Sequence, residues 1–314
     1  MAAPSLHSNF PAGFANGVTI RGVPLLSAYP GKVFWVDSVN GSNGNRGTFD
    51  RPLATLDKAF DTGFTLANRG DIVVAKAGHV ETVTAAAGLA LDVAGVALIG
   101  LGAGSNRPTI NFTTAVGADM NVDAANISMV NFLFTGGIDA LTGPIDVNAA
   151  DFSLLNCETR DVTGQATDFI VTDANAGRFL ISGWRHLGAA AAGADTAISI
   201  VGGNDWVIEN FGIYGNFAVA GIENVTTAAL RVRIGGGSAP NYIWTENAAD
   251  ICVTMVATST GFIGPNINAM LKDNAANITE AFAGAAMQFM QPINIVNLAG
   301  ESSMQTNITA STDA

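Results

Sequence analysis

The hydrophobic and polar positions of this chain form a phrase that returns. An apolar strand, a small polar turn and a second apolar strand run through Met120-Asn121-Val122, Asp123 to Asn126, and Ile127 to Phe132. The phrase recurs at Ile145-Asp146-Val147, Asn148 to Asp151 and Phe152 to Cys157, and again around Ile170-Val171, Asp173 to Asn175 and Phe179 to Ile181. A fourth copy is Ile198 to Ile200, Gly202 to Asn204 and Trp206 to Phe211. Weaker copies follow at Ile222 to Ile234 and Ile243 to Val256. The second strands begin at Ile127, Phe152, Phe179, Trp206, Leu230 and Ile251, successive differences of 25, 27, 27, 24 and 21 residues. A period in the twenties made of short β-stretches predicts a solenoid whose coils stack on one another. Alternation within the strands (Phe152 and Leu154; Trp206 and Ile208; Ile251 and Val253) puts every second side chain inside. A sandwich or barrel would also supply short strands, roughly every 8–12 residues, but has no reason to repeat its turn chemistry at one phase. The expected fold class is therefore all-β: a right-handed parallel β-helix of roughly six to seven coils, about 30 Å long at about 4.8 Å per coil. Asn131, Asn156 and Asn210 share one phase of the repeat, which predicts a ladder of stacked amides.

The ends read differently from the body, giving an arm over residues 1–30, the β-helix over 31–264 and a C-terminal capping or assembly segment over 265–314. Val33 to Asp37 reads as a strand and Asn40 to Asn45 as a loop. Leu53, Leu56, Ala59, Phe60 and Phe64 then follow helical spacing, predicting a helix over about 53–66. An open solenoid end exposes apolar core and unpaired backbone groups, so a helix placed there acts as a cap. In the arm, Phe10, Phe14, Ile20 and Val23 are apolar anchors separated by Pro and Gly, with Arg21 beside them. Each anchor left in water would cost about 1.5–3 kcal/mol. The arm is thus expected to dock on a sister subunit or a larger surface, with folding back along its own solenoid as the alternative. In the last fifty residues, Ala275 to Met290 shows a helix-like face interrupted by Gly284, and Ile293 to Leu298 reads as a strand. This segment either caps the far end or pairs with neighbouring chains.

Composition narrows the function. Charged residues are 13% against an ordinary share of roughly 25%, while hydrophobic residues reach 48%, which excludes intrinsic disorder. Fourteen basic against 26 acidic residues give −12, the wrong sign for nucleic acid. The longest uncharged stretch, Phe282 to Gly300, is broken by Gly284, Pro292 and several Gln and Asn, so no membrane span is expected. Met1 to Phe10 lacks the basic and apolar runs of a secretory signal, and the expected site of synthesis is a cytoplasm. Cys157 and Cys252 lie coils apart, too far to bridge, and are expected to be buried thiols.

The segment Val33-Phe34-Trp35-Val36-Asp37, Gly41-Ser42, Gly47-Thr48, Arg51 to Leu56, Ala59-Phe60, Gly70 to Ala75 and Gly78-His79-Val80 resembles the opening of pectin-lyase-like right-handed parallel β-helices. The resemblance implies the fold, and a family that holds polysaccharide lyases, hydrolases, phage tailspikes and non-enzymatic virion proteins. Cleavage by such a protein needs paired carboxylates at cleavage distance or an acidic Ca²⁺ cluster with a base. Here Asp146, Asp151, Asp173, Asp205 and Asp250 are scattered singly and read as turn residues. One denser constellation is Glu158, Arg160 and Asp161 after one strand with Arg185 and His186 after the next. If Asn156 and Gly183 are equivalent, Glu158 stacks on Arg185. That patch is either a carbohydrate contact or an exposed ion-pair ladder worth under about 1 kcal/mol. His7 and His79 have no metal-ligand spacing, and Gly235-Gly236-Gly237 lacks the Lys-Ser/Thr of a phosphate loop. Neither catalytic residues, a cofactor nor a metal is expected.

A β-helix with arms at both ends resembles the structural β-helix proteins of tailed-phage particles. The first expectation is a non-enzymatic head-decoration or cement protein. It would form a homotrimer bound to the major capsid protein or another virion protein, assembled in the host cytoplasm and resident on the virion. The alternative is a tailspike or fibre that binds, and in some cases cleaves, host surface glycan. A free lyase or hydrolase is the third class.

Overall fold

The computed structural model describes residues 31–161, 166–191, 193–247, 249–271 and 281–296, with the short backbone strands Thr19–Ile20, Val23–Pro24 and Ser302–Ser303. The body is a parallel β-solenoid in which each coil contributes one strand to each of three sheets. The first sheet has ten strands, from Val33–Val36 to Met287–Phe289. The second runs from Val80–Val83 to Ile293–Val296 and is closed by Ser302–Ser303. The third has eight strands, from Leu89–Leu91 to Phe282–Ala283, and so spans seven full turns. Every pairing in the body is parallel except the final one between Ile293–Val296 and Ser302–Ser303. The parallel ladders continue past residue 264 through Ile267–Leu271, Phe282–Ala283, Met287–Phe289 and Ile293–Val296.

Alternation supplies the core. On the first sheet Leu98, Met129, Leu154, Ile181, Ile208, Ile234 and Ile263 stand in one register column, all buried. On the third, Met120, Ile145, Ile170, Ile198, Ile222 and Val253 form a second buried column. Each such side chain contributes about 1.5–3 kcal/mol by leaving water. Because like sits on like at strand spacing, these largely aliphatic side chains stack into continuous columns.

The repeat differs from expectation at its last copy. Val207 pairs with Arg233 and Arg233 with Phe262, so the next first-sheet strand is Gly261–Ile263. Ile251 instead belongs to the third sheet, beside Ala220. The helix is also shorter than 53–66. It covers Leu56–Phe60, with Thr55 capping Lys58 N–H and Asp61 leaving helical geometry at ψ 155°. Its start is fixed to the solenoid by Glu81, whose Oε2 accepts the Leu56 N–H at 2.7 Å and lies 3.1 Å from Nε2 of buried His79. At the far end, the expected helix-like face over 275–290 is replaced within 281–290 by the strands Phe282–Ala283 and Met287–Phe289, and 272–280 lie outside the described residues. Gly284 and the parallel partners Gly261 and Val253 favour extended backbone there. Among the described residues no helix is long and apolar enough to cross a membrane.

Asn131, Asn156 and Asn210 do share a phase, together with Gly183, but no continuous amide ladder forms. All four turn the corner between first and second sheets with left-handed backbone, φ 64°, 52°, 53° and 72°. Asn tolerates that region better than other non-glycine residues. Asn131 Nδ2 donates to the carbonyls of Gly100 and Gly102 at 2.8 and 3.0 Å, and Asn210 Nδ2 donates to Ser182 Oγ at 3.1 Å. Gly183 interrupts the stack because the Asn156 amide occupies its side-chain space: a Cβ there would lie 2.3 Å from Asn156 Oδ1. Gly183→Ala is expected to lower stability by about 1–3 kcal/mol, read as a lower urea midpoint, and an unchanged midpoint would contradict this account of the corner.

Candidate functional site

The parallel register gives each sheet two outward rows, and on the second sheet these rows change chemistry along the axis. One row carries Glu158, Arg185, Gly212 and Tyr242 in succession. The other carries Arg160, Leu187, Tyr214, Trp244 and Met270. Adjacent members are separated by one strand spacing, about 4.8 Å. The face therefore passes from a charged end to an aromatic end within four coils.

At the charged end Glu158 does stand beside Arg185 in register, as expected, but its ion pairs run elsewhere. Arg160 Nε donates to Oε1 at 2.5 Å and Arg107 Nη1 to Oε2 at 3.3 Å. Three guanidiniums (Arg107, Arg160, Arg185) against one carboxylate leave a local charge of +2 on a chain of net −12. Arg185 is exposed and forms one wall of a cleft of about 290 Å³ shared with Arg107, Asn131, Asn156 and Glu158. A second cleft of about 370 Å³ adjoins it through Asn156, Gly183 and Arg185 and reaches Tyr242. A third depression, about 600 Å³, lies over Leu187, Tyr214, Tyr242, Trp244 and Met270. The first two clefts share Asn156, Gly183 and Arg185, and Tyr242 lines both the second and the third, so the three follow one another as a trough-like row. In its apolar part Tyr214 and Trp244 meet edge to face, 6.3 Å between ring centres at 87°, and the Tyr214 hydroxyl is hydrogen-bonded to Glu246. Trp244 keeps 38% of its surface exposed to a ligand.

The five residues expected to form one patch are divided between the two faces of the sheet. Glu158, Arg160 and Arg185 point outward, whereas Asp161 and His186 are buried inside. The cause is alternation: Asp161 follows Arg160 by one residue and His186 follows Arg185 by one. His186 sits among Phe169, Trp184 and Phe217, with Nδ1 2.9 Å from Thr159 Oγ1, a hydroxyl that also accepts the Trp184 Nε1–H at 3.0 Å. Burial pulls its pKa down to about 3, which keeps the imidazole neutral. Asp161 Oδ1 accepts the Ala166 N–H at 3.2 Å while Oδ2 has no hydrogen-bond partner among the described residues. Burial pushes this carboxyl up to about 7. Neither group can reach a ligand in the trough.

No family model matches the chain, and no curated protein matches it. Among solved structures it is similar to a rhamnogalacturonan lyase, at 14% identity and a TM-score of 0.43 over 89% of this chain and 88% of that one. It is similar also to two crystal structures of the GH136 lacto-N-biosidase from Eubacterium ramulus, at 11 and 12% identity and TM-scores of 0.40. These cover 83 and 84% of this chain and 68 and 56% of theirs. The likenesses carry no residue role over to this chain.

Sequence reasoning missed Arg107, Tyr214, Tyr242 and Trp244. Arg107 precedes the first counted repeat; Tyr214 follows Leu187 by 27 residues, one period, and was legible on that ground. The third sheet carries the opposite charge. Asp119, Asp146, Asp168 and Glu223 lie along it, and partial burial followed by neighbouring carboxylates raises all four pKa values. Among the described residues no three His, Cys, Asp or Glu side chains converge as a metal-ligand set. Both cysteines are buried and unpaired, and burial pushes the Cys157 thiol up to about 12. Of the expected assembly contacts, Phe10, Phe14 and Arg21 lie outside the described residues, and Ile20 and Val23 are placed only as backbone of a short antiparallel pair.

Asp161 and His186 give the stability a defined pH dependence. Folded Asp161 keeps its proton up to about pH 7 while an ordinary aspartate releases it near 3.8, so in that interval stability falls as pH rises. His186 acts in the opposite sense: an ordinary histidine binds a proton below 6.5 but the folded one only below about 3, so stability rises with pH there. The two slopes offset each other between about pH 4 and 6.5. Asp161→Asn should remove one of them. The variant is expected to show a urea midpoint that climbs from pH 4 to 6.5 and to exceed the parent by about 1–3 kcal/mol above pH 7; a variant less stable than the parent at pH 8 would refute the assignment.

Proposed function

We propose that this chain is a non-catalytic carbohydrate-binding β-helix, the role of a phage fibre or tailspike rather than of a head-decoration protein. Its ligand is an acidic polysaccharide lying along the second sheet. The observation that carries this reading is the trough itself, which joins an excess of guanidinium groups to an exposed Tyr-Trp surface on a strongly acidic protein. Sugar rings present C–H faces that pack on aromatic rings, and their carboxylates pair with arginine in forked geometry. The coil spacing of about 4.8 Å is close to the length of one sugar unit, so successive units meet successive coils. A capsid-decorating protein has no need of such a face.

Binding without cleavage is supported by the surroundings of Glu158. It is the one acid in the second sheet's outward rows among the described residues, and both of its oxygens are engaged, Oε1 by Arg160 and Oε2 by Arg107. Asp161, the nearest acid in sequence, faces the interior.

The test is titration with a uronate-containing polysaccharide and with a neutral glucan. The acidic chain should bind and the neutral one bind more weakly. Trp244→Ala should weaken binding about tenfold, and Arg185→Gln should both weaken it and reduce its sensitivity to salt. Affinity for the acidic chain unaffected by either substitution would overturn the site. Shortening of the polysaccharide on long incubation, abolished in Glu158→Gln, would make the protein an enzyme.

A further inference from the structure

The first sheet presents an outer face unlike the other two. Ile72, Ile99, Val130, Leu155, Leu180 and Val207 point outward on successive coils, each half-buried, and alternate with the fully buried core column. Val33, Trp35, Val74, Ala97 and three serines, Ser153 near the middle, stand with them, and no charged side chain faces outward before Glu209, which is paired with Arg233. Outward rows of a solvated sheet are ordinarily polar. A continuous apolar patch of this kind marks a contact surface.

We infer that residues 1–30 of the same chain cover this face. Three observations select the arm over other occupants. The described body begins at Gly31, two residues before Val33–Val36, and that strand is the edge of this same sheet. The arm therefore enters the fold beside the patch. Its composition matches: Arg21 is the one Asp, Glu, Lys or Arg in residues 1–30, and Phe10, Phe14, Ile20 and Val23 supply apolar side chains. Length suffices even with the reversal between Thr19–Ile20 and Val23–Pro24: eighteen extended residues reach about 60 Å, while the patch from Val33–Val36 to Val207–Glu209 covers six strand spacings, about 30 Å. A second copy is the weaker occupant. Two outward rows over that distance make roughly 300 Å², against about 800 Å² per partner in a stable complex. A tethered segment needs far less area, because its attachment already supplies a high effective concentration. The arm thus acts as an intramolecular cover for the first sheet and leaves the second free for ligand.

The test follows a thiol introduced at Ser153 in the full-length chain, where buried Cys157 and Cys252 stay silent. Ser153→Cys should react with a maleimide about tenfold faster once Phe10→Asp and Phe14→Asp are added to the arm. Thr135→Cys on the second sheet, in the same two backgrounds, should react at one unchanged rate. Protection of Ser153→Cys should also be constant over about a hundredfold range of protein concentration. Equal reactivity of Ser153→Cys with and without the arm substitutions would overturn the inference. So would protection that grows with concentration, which would assign the face to another copy.

Discussion

Every outward property of this molecule depends on the register of its parallel ladders. A strand shows its two faces alternately, so a slip of one residue between coils would carry the Ile and Leu columns to the surface and the charged rows inside. The buried columns forbid that slip, since each holds six or seven large side chains that together contribute far more than any surface interaction. The register of Glu158 on Arg185, or of Leu187 on Tyr214 on Trp244, is therefore not maintained by those residues. It is inherited from Thr159, His186, Ile213 and Ile243 directly behind them, all buried. Surface chemistry can vary without endangering the fold, because the interior holds the alignment.

That separation lets three sheets carry three chemistries. The first is apolar, the second passes from cationic to aromatic, and the third is lined by carboxylates whose pKa values burial raises first and neighbouring carboxylates second. The distribution matters more than the total charge of −12. An acidic ligand is repelled from the molecule as a whole at low ionic strength, and screening over about 10 Å reduces that long-range term while leaving close contacts intact. A local excess of guanidinium, Arg107 and Arg185 lining the cleft and Arg160 beside it on Glu158, then acts at short range, where geometry decides. Such a surface favours ligands that can reach into the trough over those that only approach it.

The fold was legible because repetition amplifies a weak signal: one short apolar stretch is ambiguous, while six at one phase are not. Legibility failed where the coil length changed. Residues 235–240 lengthen the connection from the first to the second sheet to six residues, against two between Val207–Glu209 and Gly212–Gly215, so counting from Leu230 assigned Ile251 to the first sheet when it belongs to the third. The site was half legible. The stacking of Glu158 on Arg185 followed from equating Asn156 with Gly183, both left-handed corner residues. Grouping Asp161 and His186 with them ignored the alternation that the same reading had used for the core, and both side chains prove internal. The aromatic part went unseen because Tyr214, Tyr242 and Trp244 are spread over 31 residues, and only the ladder brings them together.

The interior pair shows how much polar content such a core tolerates. Thr159 receives the Trp184 N–H and meets His186 Nδ1 from one hydroxyl, so two buried nitrogens are satisfied by a single small side chain. His186 Nε2 has no hydrogen-bond partner among the described residues, and the ring packs against Phe169 and Phe217. An unpartnered buried group of this sort costs about 1–3 kcal/mol. The cost is tolerable because cooperative stacking spreads it: a coil is held by ladders above and below on three sides, and local opening must break several of them at once. At its N-terminal end the solenoid has a neighbouring coil on one side only, and there the chain adds polar ties. Glu81 ties His79 to the start of the capping helix, and Asp71 gathers Lys32 N–H, Leu66 N–H and the Arg69 guanidinium. Even there one buried atom, His79 Nδ1, has no hydrogen-bond partner among the described residues.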